Sequence, residues 1–316
     1  MRSVEIRHDV LLGPARATME FAIHLAFFAR DASGDLDGLR LRRRYGTSGL
    51  LQDPPDTVQA LPEAIYGGFL YNQFGHFILE GLARYWFLRA QPDRMVVFHS
   101  RQRRFLPWQA EILGLLGLAP ERLTLVNDGL RIGRLEIPAA GFEIGVRADA
   151  DHIRGLGVFR PPPRGAAEEQ ARLWLSRSAL GPGSNGYIEN EDRLEAALES
   201  TGWRIFRPEA HPVAEQLRVL GSAREIAGLE GSAFHALALL ERCDGAVSII
   251  PRGPRLAHEF GTLLEAKGIR FRVPQAEFTV LGGKHRRTSF RLENAAALAA
   301  QLEADSAFGQ EARCGA

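Results

Sequence analysis

The segment Asn72-Gln73-Phe74-Gly75-His76-Phe77-Ile78-Leu79-Glu80 sets a histidine and a carboxylate four residues apart. On a helix that spacing puts both on one face, so the pair could take a proton from a hydroxyl group. A histidine in a first helical turn is disfavoured as an imidazolium by the macrodipole and favoured as a neutral, proton-accepting ring. Asn72 and Gln73 add amide groups just before the helix, where a strand ends. Two assignments are open: His76 is the base, with Glu80 orienting it, or Glu80 acts directly. The plainer alternative is a surface ladder of Glu80 with Arg84 beside a capping histidine, a reading that is strong for Arg84 and weaker for His76.

Far downstream stands Glu230-Gly231-Ser232-Ala233-Phe234-His235, between an apolar strand at 226–229 and a helix expected from Ala233. Glycine lets an anion approach the backbone, and the amides of Gly231, Ser232 and Ala233 at a helix start would receive it, with Glu230 and His235 alongside. Alone, such a turn also serves tight strand-to-helix packing. Arg177 follows the strand expected at 172–175, and Asn190-Glu191 opens a helix after the glycine-rich loop 181–186. An arginine at a strand's carboxyl end can grip a diphosphate with its planar fork. Arg252, just past the strand ending at Ile250, is a further phosphate ligand by the same reasoning, whereas Asp192 merely complements a helix dipole. Walker and three-glycine dinucleotide motifs are missing, which removes support for ATP hydrolysis and NAD-dependent hydride transfer. The strings Asp35-Leu36-Asp37 and Asp149-Ala150-Asp151 follow no long apolar strand, so no metal is expected.

These groups need elements to position them. Strands are expected at 64–70, 95–99, 123–126 and 135–137, with helices at 75–89 and 106–116; the first sixty residues read as an irregular, strand-containing entry. Three prolines at 161–163 interrupt the pattern, and 159–165 is the expected linker. Beyond it alternation resumes, with strands at 172–175, 203–206, 225–229, 246–250 and 269–273, and helices at 191–200, 213–220, 233–242, 257–267 and 292–302. Alternation of this kind implies an α/β protein with parallel sheets and helical crossovers. The expected domains are 1–160, 166–283 and a helical tail, 284–316, that packs back on the first lobe. Ligands in two such doubly wound units bind outside the carboxyl ends of the strands, in a cleft between lobes.

With 316 residues the chain suits two domains, and 39 basic against 38 acidic residues leave no field that would capture nucleic acid. The basic runs 40–44, 101–104 and 284–287 read as solvated surface, with a phosphate or anionic-membrane contact as the minority reading. Cys243 and Cys314 are too few for a disulfide framework. The apolar stretch 21–29 is too short to span a bilayer, and a cytoplasmic protein is expected.

Several of these words occur in an order that resembles glycosyltransferase family 61, a group that includes bacterial capsular-polysaccharide enzymes. The resemblance runs from about Tyr66 to Val273. It is strongest over Leu173-Trp174-Leu175-Ser176-Arg177, Asn190-Glu191-Asp192, Gly202-Trp203, Arg207-Pro208-Glu209, Glu215-Gln216-Leu217 and 223–233; the word 72–80 resembles the family's histidine-to-glutamate helix. It implies two Rossmann-like doubly wound lobes of GT-B type. It also implies metal-independent, inverting transfer of a sugar from a nucleotide-sugar, which is a substrate and not a cofactor, to a hydroxyl of a saccharide or glycan. His76 and Glu80 would be catalytic, and Arg177, Asn190, Glu191, Glu230, Gly231, Ser232, Ala233 and Arg252 would hold the donor. Asn72, Gln73 and His235 would serve the acceptor or support the site. Peripheral contact with the inner membrane face is compatible with this reading. In two places the chain departs from the family: Glu230 stands where many members have histidine, and Gly186-Tyr187-Ile188-Glu189 where many have a second arginine. The alternative is a catalytically silent nucleotide- or carbohydrate-binding protein of the same shape.

Overall fold

The computed structural model describes residues 3–20, 23–163, 171–184, 186–282 and 288–311. The basic run 284–287, Cys314 and the Arg164-Gly165 end of the expected linker lie outside them. The chain is mixed α/β and divides into two units, Met1–Val158 and Phe159–Ala316. Among the described residues no helix is long and apolar enough to cross a membrane.

The main sheet of the first unit has seven strands, here β1 (Val4–Leu12), β2 (Ala29–Asp31), β3 (Gly34–Asp35), β4 (Val58–Leu70), β5 (Val96–Ser100), β6 (Leu123–Leu125) and β7 (Gly129–Pro138), in the order β6-β5-β4-β7-β1-β2-β3. Pairing is parallel from β6 to β7, with helix α1 (Pro107–Leu115) joining β5 to β6. From β7 to β3 it is antiparallel. The expected all-parallel sheet is therefore mixed here. The irregular entry supplies the difference, since β1 lies against β7 from Val4↔Pro138 to Leu12↔Leu130. The second half of β4, Ala64 to Leu70, is buried throughout, as befits a central strand covered on both faces. Val10, Leu12, Phe27, Tyr66, Val97, Ile132 and Leu135 form one core against it.

The single helix expected at 75–89 is broken into three pieces. A short helical turn, Phe74–His76, passes into a π-helical turn, Phe77–Gly81, and helix resumes at Tyr85–Leu88. The wide turn buries five consecutive residues against the end of β4, where a Cβ on Gly81 would already meet the Leu70 side chain and the Phe69 carbonyl at 3.4 Å. π-turns of this kind insert one residue into the helical path and concentrate at functional sites. Arg84 does not join a ladder with Glu80. It is buried, donates from Nε to the Pro138 carbonyl at 2.9 Å, and lies over the Tyr66 ring.

In the second unit β8 (Arg172–Leu175), β9 (Arg204–Phe206), β10 (Glu225–Leu229), β11 (Ala246–Ile250) and β12 (Phe271–Arg272) form a wholly parallel sheet of order β9-β8-β10-β11-β12. Strand order reverses between β8 and β10, and in open parallel sheets the crevice beyond the carboxyl ends at such a switch point is where ligands bind. Phe159, placed in the linker by the sequence, belongs to this unit: its N–H donates to the Leu239 carbonyl and its carbonyl accepts from the Glu241 N–H. Helix α3 (Glu191–Ser200) packs Leu194 and Leu198 against Trp174 and Trp203. The tail helix (Ala295–Glu311), expected to return to the first lobe, inserts Leu298, Ala299 and Leu302 into this same second-unit core, and Glu303 accepts from Arg172. Its apolar stripe matches the face of α3 left open by the sheet, which is the physical reason for the difference.

Candidate active site

The π-turn aims His76 and Glu80 at one another. His76 Nδ1 lies 2.5 Å from Glu80 Oε2. Arg43 clamps the same carboxylate, donating from Nε to Oε1 and from Nη2 to Oε2, both at 2.6 Å. Side chains 43 and 80 are 4% and 3% exposed, whereas His76 keeps 25%. Burial alone would raise the Glu80 pKa, but hydrogen bonds from His76 and Arg43 outweigh it and hold the pKa below the usual carboxylate range. Burial likewise works against the Arg43 charge, and Glu80 more than restores it.

An ionised carboxylate only accepts, so the proton between Glu80 and His76 sits on Nδ1. The lone pair is then on Nε2, the atom free to act as a base. Both Glu80 oxygens are occupied and the residue is buried, which leaves it no access to a substrate hydroxyl. Tyr71 backs the site, its ring centroid 5.3 Å from that of His76 and 5.1 Å from the Arg43 guanidinium carbon. Arg43 Nη1 also donates to the Tyr45 hydroxyl at 2.7 Å. The macrodipole argument for His76 falls away, because a three-residue turn has almost no dipole; Glu80 sets the tautomer instead.

Arg43 was hidden in the basic run 40–44. Arg42–Arg43 is a two-residue strand paired with Gly46–Thr47, and period-two alternation turns Arg43 inward while Arg42 and Arg44 stay exposed. The other readable run, at 101–104, has all three of its arginines exposed. Asn72 and Gln73 are exposed at the turn after β4.

Donor residues expected on the second unit follow adjacent strands at the carboxyl edge of its sheet. Arg177 follows β8, and its Nη1 lies so close to Gly231 that a Cβ there would come within 2.5 Å. Glu191 is buried behind it, with Oε1 accepting from the Arg177 N–H at 3.0 Å and from the Trp174 indole at 3.1 Å. Burial pushes the Glu191 pKa up to about 7, against those hydrogen bonds. Glu191 therefore supports Arg177 from beneath. Ser232 and Ala233 begin a helix as expected, but it is a 3-10 helix, Ser232–Leu239, not the α-helix read at 233–242.

Two of the expected site residues serve structure. Asn190 pairs with the backbone of Leu292 like a strand neighbour, donating from Nδ2 and accepting at Oδ1, both at 2.9 Å. His235 is buried and stacked on Phe260 at 4.5 Å, because the tight 3-10 turn rotates it into the core. Glu230 stays partly exposed, its pKa raised by burial. Asp149 caps helix α2 (Ala150–Gly155) by accepting from the Asp151 and His152 N–H groups, and Asp35 and Asp37 accept from Arg30 and Arg40.

A family model, Glycosyltransferase 61, matches residues 74–247. The chain belongs to glycosyltransferase family 61. Membership implies a sugar donor and an acceptor as substrates. The match opens on the turn that carries His76 and closes inside β11, so it contains His76, Glu80, Arg177, Glu191 and the turn at 230–233. Arg43 and Arg252 fall outside it. No curated protein matches the chain.

Proposed function

We propose that this family 61 glycosyltransferase transfers a sugar from a nucleotide-sugar to a hydroxyl of a saccharide or glycan, without a metal and with inversion. The observation that carries the proposal is the relay Arg43–Glu80–His76, in which a doubly gripped carboxylate fixes a partly exposed imidazole with Nε2 free. His76 Nε2 takes the acceptor proton as the acceptor oxygen bonds to the anomeric carbon. The bond from that carbon to the leaving phosphate oxygen breaks, and its electron pair stays with the nucleoside diphosphate. One direct displacement inverts the anomeric centre. Glu80 and Arg43 are positioning residues: Arg43 fixes the carboxylate, and Glu80 holds the ring and stabilises its positive charge as the proton arrives, supporting a general-base contribution of about 10²- to 10⁴-fold.

The charge that gathers on the departing diphosphate is met by Arg177 and by the amides of Ser232 and Ala233, donors aimed at where charge develops. Their location at the switch point of a parallel sheet supports this assignment. The proposal includes the GT-B arrangement, with the donor on the second unit and the acceptor on the first. It is tested by incubating the purified protein with a panel of nucleotide-sugars and saccharide acceptors. Release of nucleoside diphosphate with a product of opposite anomeric configuration, undiminished by a chelator, is expected. Nucleotide binding without turnover across the panel would favour the silent reading and overturn this one.

A further inference from the structure

Three neighbouring strand ends line the carboxyl edge of the second unit's sheet. β8 leads to Arg177, β10 to Glu230 and Gly231, and β11 to Arg252, and the pairings Leu175↔Gly228 and Leu229↔Ile250 place these ends side by side. Arg177 reaches over Gly231. Arg252 follows β11, and its guanidinium occupies the space where a Cβ on Gly186 would stand. Gly186 itself has φ of 71°, in the left-handed region.

The Arg252 Nε is buried with no hydrogen-bond partner, and among the described residues its side chain makes no ion pair or hydrogen bond, only a longer-range attraction to Glu230. Glu230, the nearest carboxylate, spends Oε2 on the Arg252 backbone N–H at 3.4 Å and so holds the loop in place without capturing the guanidinium. The charge of Arg252 is felt at Arg177, whose pKa is lowered first by burial and next by this neighbour. Half-burying a guanidinium beside a second one is costly unless an anion joins them.

We propose that Arg177 and Arg252 are the two arms of one anion clamp over Gly231, and that Gly186 is glycine so that Arg252 can lie in it. This rests on the donor seat proposed above and extends it, by assigning the second arm to a loop that contributes no motif and by making residue 186 its gatekeeper. A side chain at 186 would expel the arm, so Gly186→Ala should act as Arg252→Ala does.

The test is calorimetric binding of inorganic pyrophosphate, ADP, GDP and UDP to the full chain. A lost charge-assisted contact lowers affinity about 10- to 100-fold. Arg252→Ala and Gly186→Ala are each expected to weaken the best ligand by that factor, and the double variant to be no weaker than either alone. Gly183 provides the control: it has φ of 87° in the same loop, but nothing within 4 Å of an added Cβ. Gly183→Ala thus carries the backbone strain without the collision and should bind like the parent. The clamp is overturned if the parent binds none of the four ligands, if Gly186→Ala binds as tightly as the parent, if Gly183→Ala loses as much, or if the two losses multiply. Binding needs no transfer, so a parent that clamps pyrophosphate yet moves no sugar upholds the clamp and refutes the proposed function. A parent that transfers sugar with an unaltered dissociation constant in Arg252→Ala does the reverse.

Discussion

Arg43 and Glu80, 37 residues apart, meet through two hydrogen bonds of 2.6 Å in a site where neither side chain is more than 4% exposed. A buried pair like this contributes little net stability, since desolvation offsets the attraction, but removing one partner strands the other. Its value lies in fixing an orientation, and here the thing oriented is an imidazole.

The Arg43→Ala variant should lose about 3–5 kcal/mol by denaturant unfolding, because Glu80 is left buried without its cation and with the His76 hydrogen bond alone. Replacing both, as Arg43→Met with Glu80→Leu, should recover most of that loss while leaving transfer as weak as in Arg43→Ala. Equal instability of the single and double variants would show that the pair is not coupled.

Glu80→Gln keeps the shape but exchanges an acceptor-only group for one that can present an amide to His76. With the tautomer no longer enforced, kcat should fall at least about 10²-fold with KM little changed. A KM effect alone would make Glu80 a substrate ligand.

The sign of the pH dependence at Glu191 follows from its raised pKa. Because the folded value, about 7, exceeds the ordinary 4.5, the folded state binds the extra proton, and this contribution is fully present below pH 4.5 and lost as pH rises through 7. The loss by pH 8 is about 3 kcal/mol. Glu191→Gln retains an acceptor for the Arg177 N–H and the Trp174 indole, so its melting temperature should decline less than the parent's between pH 5 and pH 8. Parallel curves would refute the assignment.

His99 gives the opposite limb. It is fully buried between the Tyr66 hydroxyl at 3.0 Å and the Gly13 carbonyl at 3.1 Å, and burial pushes its pKa from 6.5 down to about 3. The unfolded chain takes up the proton first, so stability present above pH 6.5 drains away as pH falls toward 3, about 2 kcal/mol of it by pH 5. His99→Gln should flatten this acid limb; an unchanged profile would contradict it.

Much of this was legible in the chain itself. The spacing of His76 and Glu80 survives although the helix that suggested it does not, because i and i+4 remain neighbours across a π-turn. The second unit's strands could be read since each is a short apolar run bounded by turn residues. Arg43 could not: a two-residue strand is too short for alternation to show, and the residue it serves is 37 positions away. Asn190 and His235 carried the chemistry of ligand-binding residues, but backbone pairing and ring stacking, which spacing does not reveal, claim them for structure. The first sheet's mixed character was likewise out of reach, as it depends on β1 finding β7 across more than a hundred residues.

The most direct test of the central claim is chemical rescue at position 76. Replacing His76 with glycine should cut transfer about 10²- to 10⁴-fold, and added imidazole should restore a concentration-dependent part of it in His76→Gly but not in Glu80→Gln. Transfer by His76→Gly at the parental rate would contradict the account.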